Sequence, residues 1–82
     1  MKVLVNVYVP AISEKFDVMI PDDMEVTKVI SLLSEGVGKL SNHLYVSCGE
    51  ECLCSVEQKV MLRNEAALKT YGIQNGDHLI LM

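Results

Sequence analysis

The chain has no tryptophan, one phenylalanine, two prolines and three cysteines among 82 residues. Each scarcity removes a class of protein. Three cysteines (Cys48, Cys52 and Cys54) are an odd number, and no signal peptide precedes them, so a secreted disulfide scaffold is excluded and a reduced, cytoplasmic protein is expected. No apolar run approaches the ~20 residues of a membrane-spanning helix, so direct membrane insertion is not expected. Basic residues number seven against eleven acidic ones, with no Lys/Arg cluster. Nucleic acid, whose phosphates need a basic patch, is not an expected partner.

What is present is enough apolar side chain for one modest core: half the residues are hydrophobic. The length fits a single domain spanning residues 1–82. Val3, Val5, Val7 and Val9 alternate with Leu4, Asn6 and Tyr8, a period of two that predicts a strand stopped by Pro10. After a short loop over 10–14, Phe16, Val18 and Ile20 alternate with Lys15, Asp17 and Met19 up to Pro21. These two strands predict an antiparallel hairpin whose inner face carries the valines, Phe16, Val18 and Ile20.

The period then changes. Val26, Val29, Ile30, Leu33, Val37 and Leu40 recur at helical spacing. Asp22, with Glu25 three residues on, has the form of a capping box, which places the helix start near Asp22. Gly36 and Gly38 weaken the helix, so it either ends near Glu35 or runs frayed to about Ser41, and the continuous apolar stripe favours the longer extent. Residues 41–51 carry no clear period and admit a strand or an ordered loop. Around the polar turn 56–59, Cys52-Leu53-Cys54-Ser55 and Val60-Met61-Leu62 predict two short strands. A helical turn is expected over 66–71, then turns at Gly72 and Asn75-Gly76. In the final strand Leu79 and Leu81 face one side; His78, Ile80 and Met82 face the other.

Hairpin, helix, strand pair and final strand predict an α+β fold. It is a ubiquitin-like β-grasp with a mixed sheet of four to five strands, one main helix on one face, and the last strand inserted between earlier ones. The stretches CLCSVEQKVML and LKTYGIQNGDHLIL resemble the second half of ubiquitin, with Leu68, Tyr71, Ile73, Leu79 and Leu81 on its pattern. The ending GI-x-NGD-x-L resembles the YukD/EsaB family, which accompanies type VII (WXG-type) secretion systems in Gram-positive bacteria. That resemblance implies a non-conjugated, ubiquitin-like protein-binding module, a cytoplasmic accessory or regulatory component. Its implied partner is a protein, such as a cytoplasmic domain of a membrane-bound secretion component. A ubiquitin-like modifier or sulfur carrier is the alternative. Those proteins act through a flexible Gly-Gly tail, whereas this sequence ends at Met82 on its last strand, so carboxylate activation is not expected.

Chemical constellations are sparse. His43, Cys48, Cys52 and Cys54 offer four donors for zinc, the second alternative, but C-x3-C-x-C lacks the usual C-x2-C knuckle. Cys52 and Cys54 point the same way on a strand and are expected to be small buried residues. Neither the spacing of an iron–sulfur ferredoxin nor a glycine-rich phosphate loop is present. A cysteine nucleophile would have only His43 or His78 as base. No enzyme, metal or cofactor is expected. The unabsorbed feature is the side of the sheet turned away from the helix. Leu4, Tyr8, Met19, Leu53, Ile80 and Met82 are assigned there, and of these Leu4, Leu53, Ile80 and Met82 by resemblance lie on ubiquitin's partner-binding face, so those four are the candidate protein-binding residues.

Overall fold

The valine alternation at the start of the chain builds the first strand, β1, from Lys2 to Val9, with Val3, Val5, Val7 and Val9 all buried. A single 3-10 turn over Pro10–Ile12 reverses the chain, closed by Ser13 in the left-handed region at φ 53°. Strand β2, Glu14–Pro21, then returns antiparallel, in a register that sets Val3 opposite Ile20, Val5 opposite Val18 and Val7 opposite Phe16. The structure, a computed structural model, describes residues 1–40, without the side chain of Leu40, and 51–82.

The helix α1 runs from Val26 to Leu40, so the longer of the two extents suggested by the apolar stripe is the observed one. Its start differs from the expected capping box. Asp22 lies four residues upstream of the helix, where its carboxylate meets the amino group of Met1 at 3.2 Å. The first helical donors are satisfied by backbone instead. Val26 N–H donates to the Ala66 carbonyl (2.8 Å) and Thr27 N–H to the Asn64 carbonyl (3.1 Å). Helix starts leave four N–H groups without internal partners, and here a passing chain segment supplies acceptors that a side-chain cap would otherwise provide.

The second half holds β3 (Leu53–Ser55), β4 (Val60–Met61), a 3-10 turn at Leu68–Tyr71 and β5 (His78–Leu81). The sheet order is β2-β1-β5-β3-β4, with β5 parallel to β1 and antiparallel to β3. This is the expected ubiquitin-like β-grasp, the last strand filling the slot between the hairpin and β3. Two turns bring it there. Gly72 at φ 68° ends the 3-10 turn, and Gly76 at φ 88° donates its N–H to the Leu4 carbonyl (2.8 Å). Both angles favour glycine because a Cβ would crowd the backbone.

The inner face of the sheet and the apolar stripe of α1 form one core. Val5, Val7, Val9, Val26, Val29, Leu53, Leu68, Leu79 and Leu81 are essentially inaccessible, with Phe16, Val18, Ile30 and Tyr71 packed at its margin. The doubtful stretch 41–51 falls, except for Glu51, outside the described residues. None of the described helices is long and apolar enough to cross a membrane.

Candidate functional site

Period-two pairing decides which side chains share the face opposite α1. Leu4 pairs with Met19, Asn6 with Asp17 and Tyr8 with Lys15 across the hairpin. Asn6 and Tyr8 also pair with His78 and Ile80 of β5, and Ile80 pairs in turn with Cys54, which faces Met61. Residues directly opposite one another point to the same side of a sheet. The outer face is therefore a surface running from Met19 on one edge strand to Met61 on the other.

Three of the four expected binding residues lie on this face, but apart: Leu4 stands beside Met19 and Gly76, Ile80 beside Tyr8, and the Asn6–His78 pair separates them. Leu4 is 43% exposed, Met82 60% exposed and Ile80 half-buried between Tyr8 and Cys54. Leu53 does not. It is fully buried, opposite Leu81 on the core side. The sequence reading phased β3 by one residue: Cys52 and Cys54, expected inside, are half-buried on the outer face, and Leu53 is the core residue. In a three-residue strand the alternation has too few repeats to fix its own phase, and the pairing of β3 with β5 fixes it instead. Met19 and Met61, exposed by 60% and 61%, belong to the outer face as well, although the expected set omits them. Their position on alternating strands was the available signal.

Polar groups stand between the apolar ones. Asn6 Nδ2 donates to Asp17 Oδ1 at 3.1 Å, and the Lys15 ammonium lies 5.9 Å from the centre of the Tyr8 ring. At the start of β5, the backbone N–H of His78 donates to Glu57 Oε1 (2.9 Å), and its ring Nδ1 stands 2.6 Å from Glu57 Oε2. These bonds, that to the His78 ring foremost, hold the Glu57 carboxyl below its usual range. They also tie the β3–β4 turn to the start of β5. Open depressions of about 370 and 400 Å³ flank Ile80, one toward Tyr8 and Lys15, the other toward Cys54 and Met61.

The face therefore carries an apolar end at Leu4 and Met19, a polar middle at Asn6, Asp17 and His78, and a second apolar end at Tyr8, Ile80, Met82 and Met61. Burial, and then the neighbouring Cys52, push the Cys54 thiol above its ordinary range, which disfavours the thiolate that a nucleophile or metal ligand requires. Among the described residues no group of three or more His, Cys, Asp or Glu side chains could hold a metal ion. His43 and Cys48, the other donors of the zinc alternative, lie outside the described residues.

A model of the family described as "WXG100 protein secretion system (Wss), protein YukD" matches residues 4–81. No protein of curated function matches the sequence. Among solved structures, the chain is similar to the ubiquitin-like domain of EccD5 from Mycobacterium xenopi. The TM-score is 0.74 at 15% identity, covering 100% of this chain and 93% of that one. The ubiquitin-like domain of an Arabidopsis thaliana protein matches with a TM-score of 0.70 at 18% identity, over 99% of this chain and 76% of the other. A chain of the MycP5-free ESX-5 inner membrane complex matches with a TM-score of 0.71 at 18% identity, over 99% of this chain but 20% of that one. At such identities these structural likenesses establish a shared fold.

Proposed function

This chain belongs to the YukD family of the WXG100 protein secretion system, and on that footing we propose that it is a non-conjugated, ubiquitin-like protein-binding module of that machinery. It serves as a cytoplasmic accessory, docking on a cytoplasmic domain of a membrane-bound secretion component. The observation that carries this reading is the family match across residues 4–81, nearly the whole fold. The similar fold in the ESX-5 inner membrane complex supports it, since there it makes up about a fifth (20%) of a longer chain of a membrane assembly.

The outer sheet face is the proposed contact surface, with Leu4 and Met19 at one end and Ile80, Met82 and Met61 at the other. Thioethers and aliphatic groups of this kind adapt to a partner's contours, and Lys15, Asp17, Glu57 and His78 set register. Central apolar anchors typically account for ~2 kcal/mol or more of binding when truncated.

The test is affinity capture from solubilised membranes of the native cell with wild-type, Ile80→Asp and Leu4→Asp proteins. The wild type is expected to retain a membrane component of the WXG100 machinery, and both variants to lose it while keeping their thermal melts. Retention by the wild type no better than by an unrelated ubiquitin-like domain would overturn the reading.

A further inference from the structure

The two edges of the sheet are unequal. Strand β4 is two residues long, a blunted edge, but β2 is eight residues long and is also an edge. In β1, the Asn6 N–H reaches Asp77 and the Leu4 carbonyl accepts from Gly76, so the even-numbered backbone groups point to β5 and the odd-numbered ones to β2. Through the hairpin register, Phe16, Val18 and Ile20 bond back to β1, and the N–H and C=O groups of Lys15, Asp17 and Met19 point outward. Among the described residues no backbone hydrogen bond outside the hairpin reaches these three. Pro21 has no N–H, so the open ladder ends there.

An apolar groove follows this edge on the helix side. One cleft of about 180 Å³ lies between Val18, Met24 and Leu32, and a second of about 70 Å³ between Phe16, Leu32 and Gly36. Leu32 is 57% exposed beside it. The larger cleft has room for an aliphatic side chain, given that a cavity of roughly 150 Å³ takes a benzene ring. Charged side chains and proline guard this edge against indiscriminate pairing, at Glu14, Lys15, Asp17 and Pro21, but among the described residues no other strand covers it.

We infer that the β2 edge is a docking site for an extended segment of a different protein, which adds antiparallel to the sheet at Lys15, Asp17 and Met19. Alternating open backbone groups can be matched only by another strand. The charges specify its side chains: an acidic residue opposite Lys15, a basic one opposite Asp17, and aliphatic residues opposite Phe16 and Val18, over the groove. A second copy of the chain fits worse in each long register. Pairing centred on Asp17 sets that carboxylate against its own copy. Setting Lys15 opposite Asp17 brings Glu14 against Val18, and setting Met19 opposite Asp17 leaves Lys15 facing Pro21. This site adjoins the outer face, with which it shares the side chains of Lys15, Asp17 and Met19, but it uses the outward backbone groups of β2 and the groove on the helix side, and the inference rests on the protein-binding reading only in supposing that the fold's surface is what acts.

The probe is a capped peptide containing Ile-Val-Lys-Val-Glu, whose lysine falls opposite Asp17 when it runs antiparallel. It is titrated into isotope-labelled full chain and followed by NMR and amide exchange. Slowed exchange at Lys15, Asp17 and Met19 is expected, with shifts at Leu32 and Gly36. The charge-exchanged peptide, Ile-Val-Glu-Val-Lys, is expected to bind about fivefold to tenfold more weakly, the ratio for cross-strand pairs turned from attractive to repulsive. The Lys15→Asp/Asp17→Lys protein should invert that preference. Met19→Pro, which removes an outward N–H without touching the β1 ladder, should abolish binding in a protein whose spectrum remains folded. No shifts at millimolar peptide, equal affinity for the two peptides, shifts confined to Leu4 and Ile80, or protection of the 15–19 amides by protein concentration alone would each overturn the inference. None of these readouts involves the secretion machinery, so their failure removes the edge site and leaves the family-based reading standing.

Discussion

Leu53 and Leu81 lie directly opposite each other on β3 and β5, both facing α1 and both sealed from solvent. One position further along, Cys54 and Ile80 form the corresponding pair on the outer face. A one-residue step therefore separates the core from the outer face. Leu53→Asp is expected to unfold the domain as Leu33→Asp does, because each places an unpaired charge in the core. The loss is on the order of the entire stability of so small a domain. Ile80→Asp is expected to change stability by no more than about 1 kcal/mol, as partly exposed positions do. Thermal melts of the three variants check this, and a folded Leu53→Asp protein would contradict the observed phase of β3.

Tyr71 joins two turns. Its hydroxyl accepts from the Arg63 backbone N–H at 3.0 Å, and its carbonyl accepts from Gln58 Nε2 at 2.6 Å. Tyr71→Phe keeps the ring in place and removes only the first bond. Denaturant unfolding should show a loss of about 1 kcal/mol, the usual net value of one hydrogen bond.

Gly36 sits inside α1, where a Cβ would meet nothing within 4 Å. Alanine is favoured over glycine in a helix interior by about 1 kcal/mol. Gly36→Ala is therefore expected to raise the melting temperature, and an unchanged or lower one would show that the added methyl meets a neighbour.

Glu57 carries a pH dependence. Its carboxyl is held below the usual range by its bonds to His78, so the folded state binds the proton less readily than the unfolded chain. A depressed carboxyl contributes stability above its unfolded pKa, about 4.3, and that contribution is lost as the pH falls through the lower folded value. The denaturation midpoint should decline across this acidic window in the wild type. In Glu57→Gln that decline should be shallower, and parallel curves for the two proteins would remove Glu57 as its source.

Period and turn chemistry determined most of the architecture by themselves. The valine alternation of β1 and the Phe16-Val18-Ile20 alternation of β2 are long enough to fix a phase, and the stripe from Val26 to Val37 defines both the helix and its buried face. Asn75-Gly76 and Gly72 mark the turns, since few residues tolerate those backbone angles. Tertiary structure decided what short or shared features could not. The phase of Leu53 depends on pairing with β5, the helix start on carbonyls from Asn64 and Ala66 rather than on Asp22, and the open edge of β2 on the strand order. In each case the deciding partner is distant in sequence, and a local pattern holds no information about which backbone groups a distant segment will meet.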